Sequence, residues 1–165
     1  MITLEDISIR TELQPGDIGH ITSRHGVLYD KEYGWGIGFE SYVAAGLHEF
    51  YRDFYSNKDR IWIAEHEGKI IGSILVKSRG ESAQLRYFYI EPGYRGIGLG
   101  KKLWSSAMDF ISACGYKKAY LWTAVELHVA AKLYTSTGFR LTEEKESMTF
   151  GTKAIEQRYD WGQID

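Results

Sequence analysis

Six residues, Arg95-Gly96-Ile97-Gly98-Leu99-Gly100, join an apolar run from Leu85 to Ile90 to an amphipathic run that begins near Leu99. No other feature constrains the fold as strongly. The apolar run, the glycine turn and the stripe Leu99, Leu103, Ala107, Phe110 and Ile111 arrive in the order strand, loop, helix. Three glycines leave backbone N–H groups unshielded, and these add to the unpaired amides and positive dipole end of the helix that follows. Such a join can hold a phosphate without side chains.

The register of the loop separates the Gly-rich motifs that compete for it. The dinucleotide fingerprint G-x-G-x-x-G fails, because Leu103 or Lys101 stands where the third glycine belongs. The P-loop fails because Arg95 replaces its first glycine and Lys102 its hydroxyl residue. The pattern R-x-x-G-x-G fits, as Arg95, Gly98 and Gly100. In this the chain resembles the GNAT superfamily of N-acetyltransferases, which hold the pyrophosphate of acetyl-coenzyme A with such a loop. A turn that binds nothing is the competing reading, and the flanking strand and helix weigh against it.

Hydrophobic periodicity predicts strands at 4–10, 60–65, 69–76, 82–90, 119–125, 139–144 and 148–159, with a hairpin at Glu67-Gly68. Helices are predicted at about 17–29, 39–55, 98–114 and 127–136, the last closed by Gly138. The expectation is an α/β (α+β) fold in one domain over residues 1–165, a mixed, mostly antiparallel sheet flanked by helices in the order β-α-α-β-β-β-α-β-α-β-β. That order is similar to the GNAT fold. So is Ala130-x-x-Leu133-Tyr134-x-x-x-Gly138-Phe139, which matches the family's A-x-x-L-Y-x-x-x-G-F in register. Leu121-Trp122-Thr123, Glu126-Leu127-His128, Arg24-His25-Gly26 and Tyr33-Gly34-Trp35 look more closely like the acetyltransferase half of bifunctional MarR-type regulator/GNAT proteins. Met1 stands only a few residues before the first strand, so no regulator half is expected in this chain.

Composition narrows the partners. The net charge is −2 with basic residues scattered, so no footprint for nucleic acid is present. Cys114 is the single cysteine, which excludes an internal disulfide and a cysteine-rich zinc site, and no metal is expected. The N-terminus lacks a signal-like pattern and the longest apolar run, 70–76, is interrupted, so a soluble, cytoplasmic protein without a membrane partner is expected. Aromatic side chains crowd residues 29–55 beyond what one helical face can bury, which points to a pocket or a subunit contact.

The resemblance assigns roles. The backbone of Gly96, Ile97, Gly98, Leu99, Gly100 and Lys101 would hold the pyrophosphate of the co-substrate acetyl-CoA, with Arg95 and Lys101 or Lys102 adding charge. Phe88 and Ile90 would hydrogen-bond the pantetheine arm along a splayed strand edge, and the amide near Tyr89 would face the oxyanion. Tyr134 is the general acid for the departing thiolate. The strand before the glycine loop offers Gln84 and Arg86 where many relatives carry a carboxylate, so the base is open among Glu126, His25, His48, Glu40 and water. Leu127 stands where relatives often have asparagine. Tyr29, Tyr33, Trp35 and Tyr42 would wall the acceptor pocket, with Glu32, Glu40 and Glu49 supplying negative potential.

The implied activity is transfer of acetyl from acetyl-CoA to a primary amine of a small molecule or peptide, by direct attack in a ternary complex. A non-catalytic acyl-CoA sensor or partner-binding module is the alternative, and transfer of a longer acyl chain a third. Family members often pair through their C-terminal strands, and Tyr159 and Trp161 suit a homodimer contact of that kind.

Overall fold

The computed structural model of the chain describes residues 1–163. Seven strands form one sheet: β1 (Ser8–Arg10), β2 (Arg60–His66), β3 (Lys69–Arg79), β4 (Ser82–Ile90), β5 (Lys118–Ala124), β6 (Arg140–Ser147) and β7 (Ala154–Gly162). Their order is β1-β2-β3-β4-β5-β7-β6, with β4 and β5 the parallel pair and the other neighbours antiparallel. Among the described residues four helices flank it: α1 (Asp17–Tyr33), α2 (Gly36–Arg52), α3 (Leu99–Ala113) and α4 (His128–Ser136).

Strand alternation divides the core into two. Trp62, Ile74, Val76, Ala83 and Leu85 pack with Leu103, Ala107 and Ile111 of α3. Their strand neighbours Ile61, Ile63 and Leu75 pack with Ile21, Val43, Leu47 and Phe50 of α1 and α2. Helices α1 and α2 therefore cover one face and α3 the other, with β4 at the centre of both.

Several boundaries depart from expectation for identifiable reasons. Leu4–Asp6 is a 3₁₀ turn rather than strand, held by the Asp6 carboxylate accepting from the Thr3 N–H at 2.8 Å, so β1 starts at Ser8. Helix α1 runs one turn further, to the left-handed Gly34 at φ 72°. Helix α2 begins at Gly36 and stops at Arg52, because the Asp59 carboxylate accepts from the Tyr55 N–H and fixes a loop there. Residues 148–153, expected within the last strand, form a loop that carries Phe150 back to α2. Gly38 permits this return: a Cβ there would stand 2.2 Å from the Phe150 carbonyl oxygen.

The Tyr159 ring, expected at a subunit contact, is buried against Tyr134, while the half-buried Trp161 ring stacks on Phe139.

Candidate active site

The glycine loop forms an anion-binding corner. Gly96 and Gly98 sit at φ 82° and 90°, the left-handed region that other residues enter only with strain. Gly98 caps α3 without a side-chain hydrogen bond, and no acidic residue lies in the first turn. The Lys102 N–H reaches the Gly98 carbonyl at 3.1 Å, leaving the amides of residues 99–101 without helical partners. These amides stand at a groove of about 930 Å³ lined by Gly96, Gly98, Gly100 and Lys101, by Phe88 to Ile90 of β4, and by α1 and α4.

The side chains of Leu99 and Ile97 pack into the core, which leaves the groove only their backbone. Arg95 spans the groove's rim, its Nε donating to the Ile90 carbonyl at 3.1 Å and its Nη2 pairing with Glu32 of α1 at 3.0 Å. Arg24 ties α1 to the end of β4 through Glu91 at 2.5 Å.

A bulge in β4 opens the centre of the sheet. Leu75 pairs with Arg86 and Ser73 with Tyr89, so Tyr87 and Phe88 together face Ile74. Tyr87 takes the left-handed φ of 52°, and the Ser73 hydroxyl donates to its carbonyl at 2.8 Å. The parallel ladder stops short of this bulge: β4 and β5 pair only over Ser82–Gln84 and Lys118–Tyr120. Past Gln84 the β5-facing edge of β4 has no strand partner among the described residues, and a cleft opens between the two strands.

A second cavity, of about 120 Å³, fills that cleft. Tyr29, Phe88 and Leu127 line both it and the larger groove, so the two meet there. Tyr134 faces the cavity, with its ring 5.0 Å from that of Trp104. Burial pushes the Tyr134 phenol above the ordinary tyrosine range, so it keeps its proton. The spacing of its motif has a local cause. Gly138 at φ 94° turns the chain out of α4, the Phe139 N–H returns to the Tyr134 carbonyl at 3.1 Å, and the Phe139 ring is buried against Trp104.

The other sequence-derived residues divide between the two cavities. Tyr29 lines both, and Trp35 and Tyr42 line the smaller one, with Tyr29 and Trp35 packed edge-on or tilted against Phe39 and Tyr42 tilted against Phe150. Tyr33 lies instead on the larger groove, its phenol pushed up by burial and by Glu32. Glu126 is exposed on the groove wall and is absent from the cavity that Tyr134 faces, because the turn after β5 carries it outward. His48 is exposed on α2. His25 is buried in the cavity wall, its Nδ1 donating to the Ile21 carbonyl at 2.8 Å, and burial lowers its pKa to about 4. Such an imidazole is neutral and a poor base.

Phe150, Thr123 and Glu156 are among the lining residues that were not anticipated. The Thr123 hydroxyl is buried without a partner. For Glu156 the available signal was an acid at an inward position of β7, visible only once the strand's bounds are known.

The comparisons with known proteins agree with this geometry. The acetyltransferase (GNAT) family profile matches residues 28–139, from the groove-lining end of α1 to the phenylalanine that closes α4. The chain belongs to the acetyltransferase (GNAT) family. This GNAT chain is 30% identical over 126 residues to the uncharacterized N-acetyltransferase YjgM of Escherichia coli, covering 74% of its own length and 71% of the relative. Its fold superposes on an acetyltransferase from Streptococcus agalactiae with a TM-score of 0.74 at 21% identity, covering 97% of this chain and 100% of the other. A GNAT acetyltransferase from Elizabethkingia anophelis, solved with acetyl-CoA bound, gives 0.63 at 15% identity, covering 96% and 99%. The GNAT chain is an acyltransferase with the α/β architecture of these neighbours. No helix among the described residues is long and apolar enough to cross a membrane.

Proposed function

We propose that the chain, as one domain over residues 1–165, transfers an acetyl group from acetyl-CoA to a primary amine by direct attack in a ternary complex. The observation that carries this reading is the uncapped start of α3, with two left-handed glycines before it, opening on a groove that leads to the β4–β5 cleft. A diphosphate suits that corner: the orphan amides and the helix dipole supply donors and positive potential, and Lys101 adds charge. The Elizabethkingia acetyltransferase, solved with acetyl-CoA bound, supplies the matching ligand class.

The unpaired edge of β4 past Gln84 can take the amide groups of a pantetheine arm as an added strand would. That route brings the thioester to the junction of groove and cavity, beside Phe88 and Leu127. Main-chain N–H groups near Tyr89 stabilise the oxyanion, and Tyr134, held protonated by burial, donates to the leaving sulfur. Cys114 ends α3 at the opposite end from the glycine loop, hydrogen-bonded to the Asn57 carbonyl, so an acetyl-cysteine route is disfavoured.

Calorimetric titration with acetyl-CoA, followed by thiol release with a panel of amines, tests the reading. Saturable binding with amine-dependent release of CoA supports it. Binding with no release on any amine would leave the alternative of an acyl-CoA sensor, and no binding would end the proposal.

A further inference from the structure

The smaller cavity is lined by one carboxylate and one guanidinium that no opposite charge among the described residues pairs. In the β5–β7 ladder Glu156 lies opposite Ala124, and paired residues of an antiparallel ladder project to the same face. Ala124 belongs to the core under α1 and α2, so Glu156 points there too, buried to 6% exposure and lining the cavity. Its cationic neighbours are engaged elsewhere. Lys145, opposite it on β6, lays its ammonium 4.3 Å from the centre of the Trp122 ring, and Arg158 pairs with Asp160 at 2.8 Å. No hydrogen bond or ion pair among the described residues reaches the Glu156 carboxylate.

Arg86 is the converse case. The bulge breaks the alternation of β4, so Arg86 and Tyr87, though consecutive, both lie on the α1/α2 side. The Arg86 guanidinium stacks 4.8 Å from the Tyr87 ring and donates once, to the Tyr42 hydroxyl at 3.2 Å. Glu49 of α2 is held by Arg79 at 2.5 Å, and no carboxylate among the described residues pairs with Arg86. A guanidinium has five donors, so most remain available to a ligand. The Glu156 carboxylate is buried and the Arg86 guanidinium half-buried, and neither meets an opposite charge among the described residues; both face a cavity of about 120 Å³, where about 15 Å³ would admit a water.

We propose that the acetyl acceptor is a small amino acid-type zwitterion whose ammonium is held and deprotonated by Glu156 and whose carboxylate is held by Arg86. This rests on the acetyltransferase reading above. The two groups come from opposite sides of the cleft, β4 and β7, so one compact ligand carrying both charges satisfies both. A polyamine would set a second cation against Arg86, and an amino acid amide would leave the guanidinium unanswered. The aromatic wall of Trp35, Phe39 and Phe150 covers the remaining apolar surface.

The protons balance as follows. Glu156 takes one proton from the ammonium and later releases it to solvent. The freed nitrogen lone pair attacks the thioester carbonyl carbon, forming C–N, and the C=O electron pair moves onto oxygen. On collapse the C–S bond breaks, sulfur leaves with its pair and takes the Tyr134 proton, and Tyr134 is reprotonated from the nitrogen. One N–H remains on the new amide.

The test is continuous thiol release at saturating acetyl-CoA with free amino acids, their α-amides, putrescine and spermidine. The expected result is kcat/KM for the preferred amino acid at least about tenfold above that of its own amide and of either polyamine. Arg86→Gln should raise KM for the amino acid about tenfold or more and leave the amide unchanged, with Arg86→Lys recovering part of the loss. Glu156→Gln should lower kcat by about 10²-fold near neutral pH, and the deficit should shrink at high pH, where the amine arrives neutral. Melting temperatures and acetyl-CoA affinity of each variant separate these effects from misfolding. Equal turnover of amides or polyamines, an Arg86→Gln effect shared by amide and amino acid, or no amino acid accepted would overturn the inference. Turnover of an amide or a polyamine in that last case leaves the acetyltransferase reading standing, whereas absence of acetyl-CoA binding removes both.

Discussion

The Tyr87 hydroxyl occupies the space that a side chain at position 46 would need: a Cβ built on Gly46 would lie 1.7 Å from that oxygen and 2.9 Å from Nη2 of Arg86. Helix α2 can therefore cover the β4 bulge only because residue 46 is glycine. In an exposed helix Gly→Ala would stabilise by about 1 kcal/mol. Here Gly46→Ala should instead destabilise by about 1–3 kcal/mol, because the ring is rigid and buried on all sides. The Tyr87 hydroxyl has no hydrogen-bond partner, so Tyr87→Phe should be close to neutral and should relieve much of the Gly46→Ala penalty. Chemical denaturation of the two single variants and the double variant measures the coupling, and simple additivity would contradict the steric account.

Tyr134→Phe should lower kcat by about 10²-fold or more while acetyl-CoA affinity holds, since the ring's packing on Trp104 and Tyr159 survives loss of the hydroxyl. Because burial raises the phenol above the ordinary value of about 10, the group stays protonated through the working range and contributes no alkaline loss of rate there. The pH profile of kcat should accordingly show no fall on its alkaline side below about pH 9. An unchanged turnover in the purified variant would remove Tyr134 from the chemistry.

Gly98→Val should weaken acetyl-CoA binding by about tenfold or more, since a branched residue at φ 90° is strained and the amides of 99–101 would be re-aimed. Space is not the obstacle: the nearest atom to a Cβ there is Leu4 Cδ1 at 3.4 Å. Calorimetry on the folded variant, with its melting temperature as control, checks this. Lost folding at unchanged affinity per folded molecule would mark the glycine as structural alone.

The glycine loop and the Tyr134 motif were legible in sequence because each is a local device. Left-handed glycines, an uncapped helix start and a Gly138 helix stop depend on residues a few positions apart. The acceptor cavity was much less legible because it is assembled from distant segments. Glu156 reaches it through a ladder with β5, Phe150 through a loop that only Gly38 admits, and Tyr87 through a bulge that shifts its face. Periodicity from residue 82 onward would have sent Arg86 and Tyr87 to opposite sides. Glu126 was attractive by its nearness in sequence to β5, yet the turn carries it to the outer groove.

Removing Asp59 tests the frame beneath the site. Its buried carboxylate accepts from the Lys77 ammonium at 2.7 Å and from the N–H groups of Ser78 and Tyr55, tying the loop after α2 to β3. Asp59→Ala strands the Lys77 ammonium, which is only 6% exposed, with the Asp53 carbonyl as its remaining partner. The expected loss is about 3–5 kcal/mol of stability, measured by urea unfolding. Asp59→Ala combined with Lys77→Met should recover part of it, because the second change removes the uncompensated charge.

His25 links stability to pH. Burial lowers its pKa from 6.5 to about 4, with the hydrogen bond to the Ile21 carbonyl opposing the shift. Its neighbours in the wall are the rings of Tyr29, Tyr87 and Tyr89, so no carboxylate there favours the imidazolium. Above the unfolded-state value both states are neutral at this position and pH has no effect through it. As pH falls toward about 4 the unfolded chain binds a proton that the folded chain refuses, and stability declines by up to about 1.4 kcal/mol per pH unit. The wild type should therefore lose about 2 kcal/mol through this residue between about pH 7 and about pH 5. His25→Gln should lack that part of the decline, whatever its stability near neutrality. The aspartates whose pKa values are lowered, among them Asp17 and Asp160, titrate below the ordinary aspartate value and so leave this window clear. Urea unfolding of both proteins at the two pH values gives the comparison, and parallel declines would show that His25 is charged in the folded state.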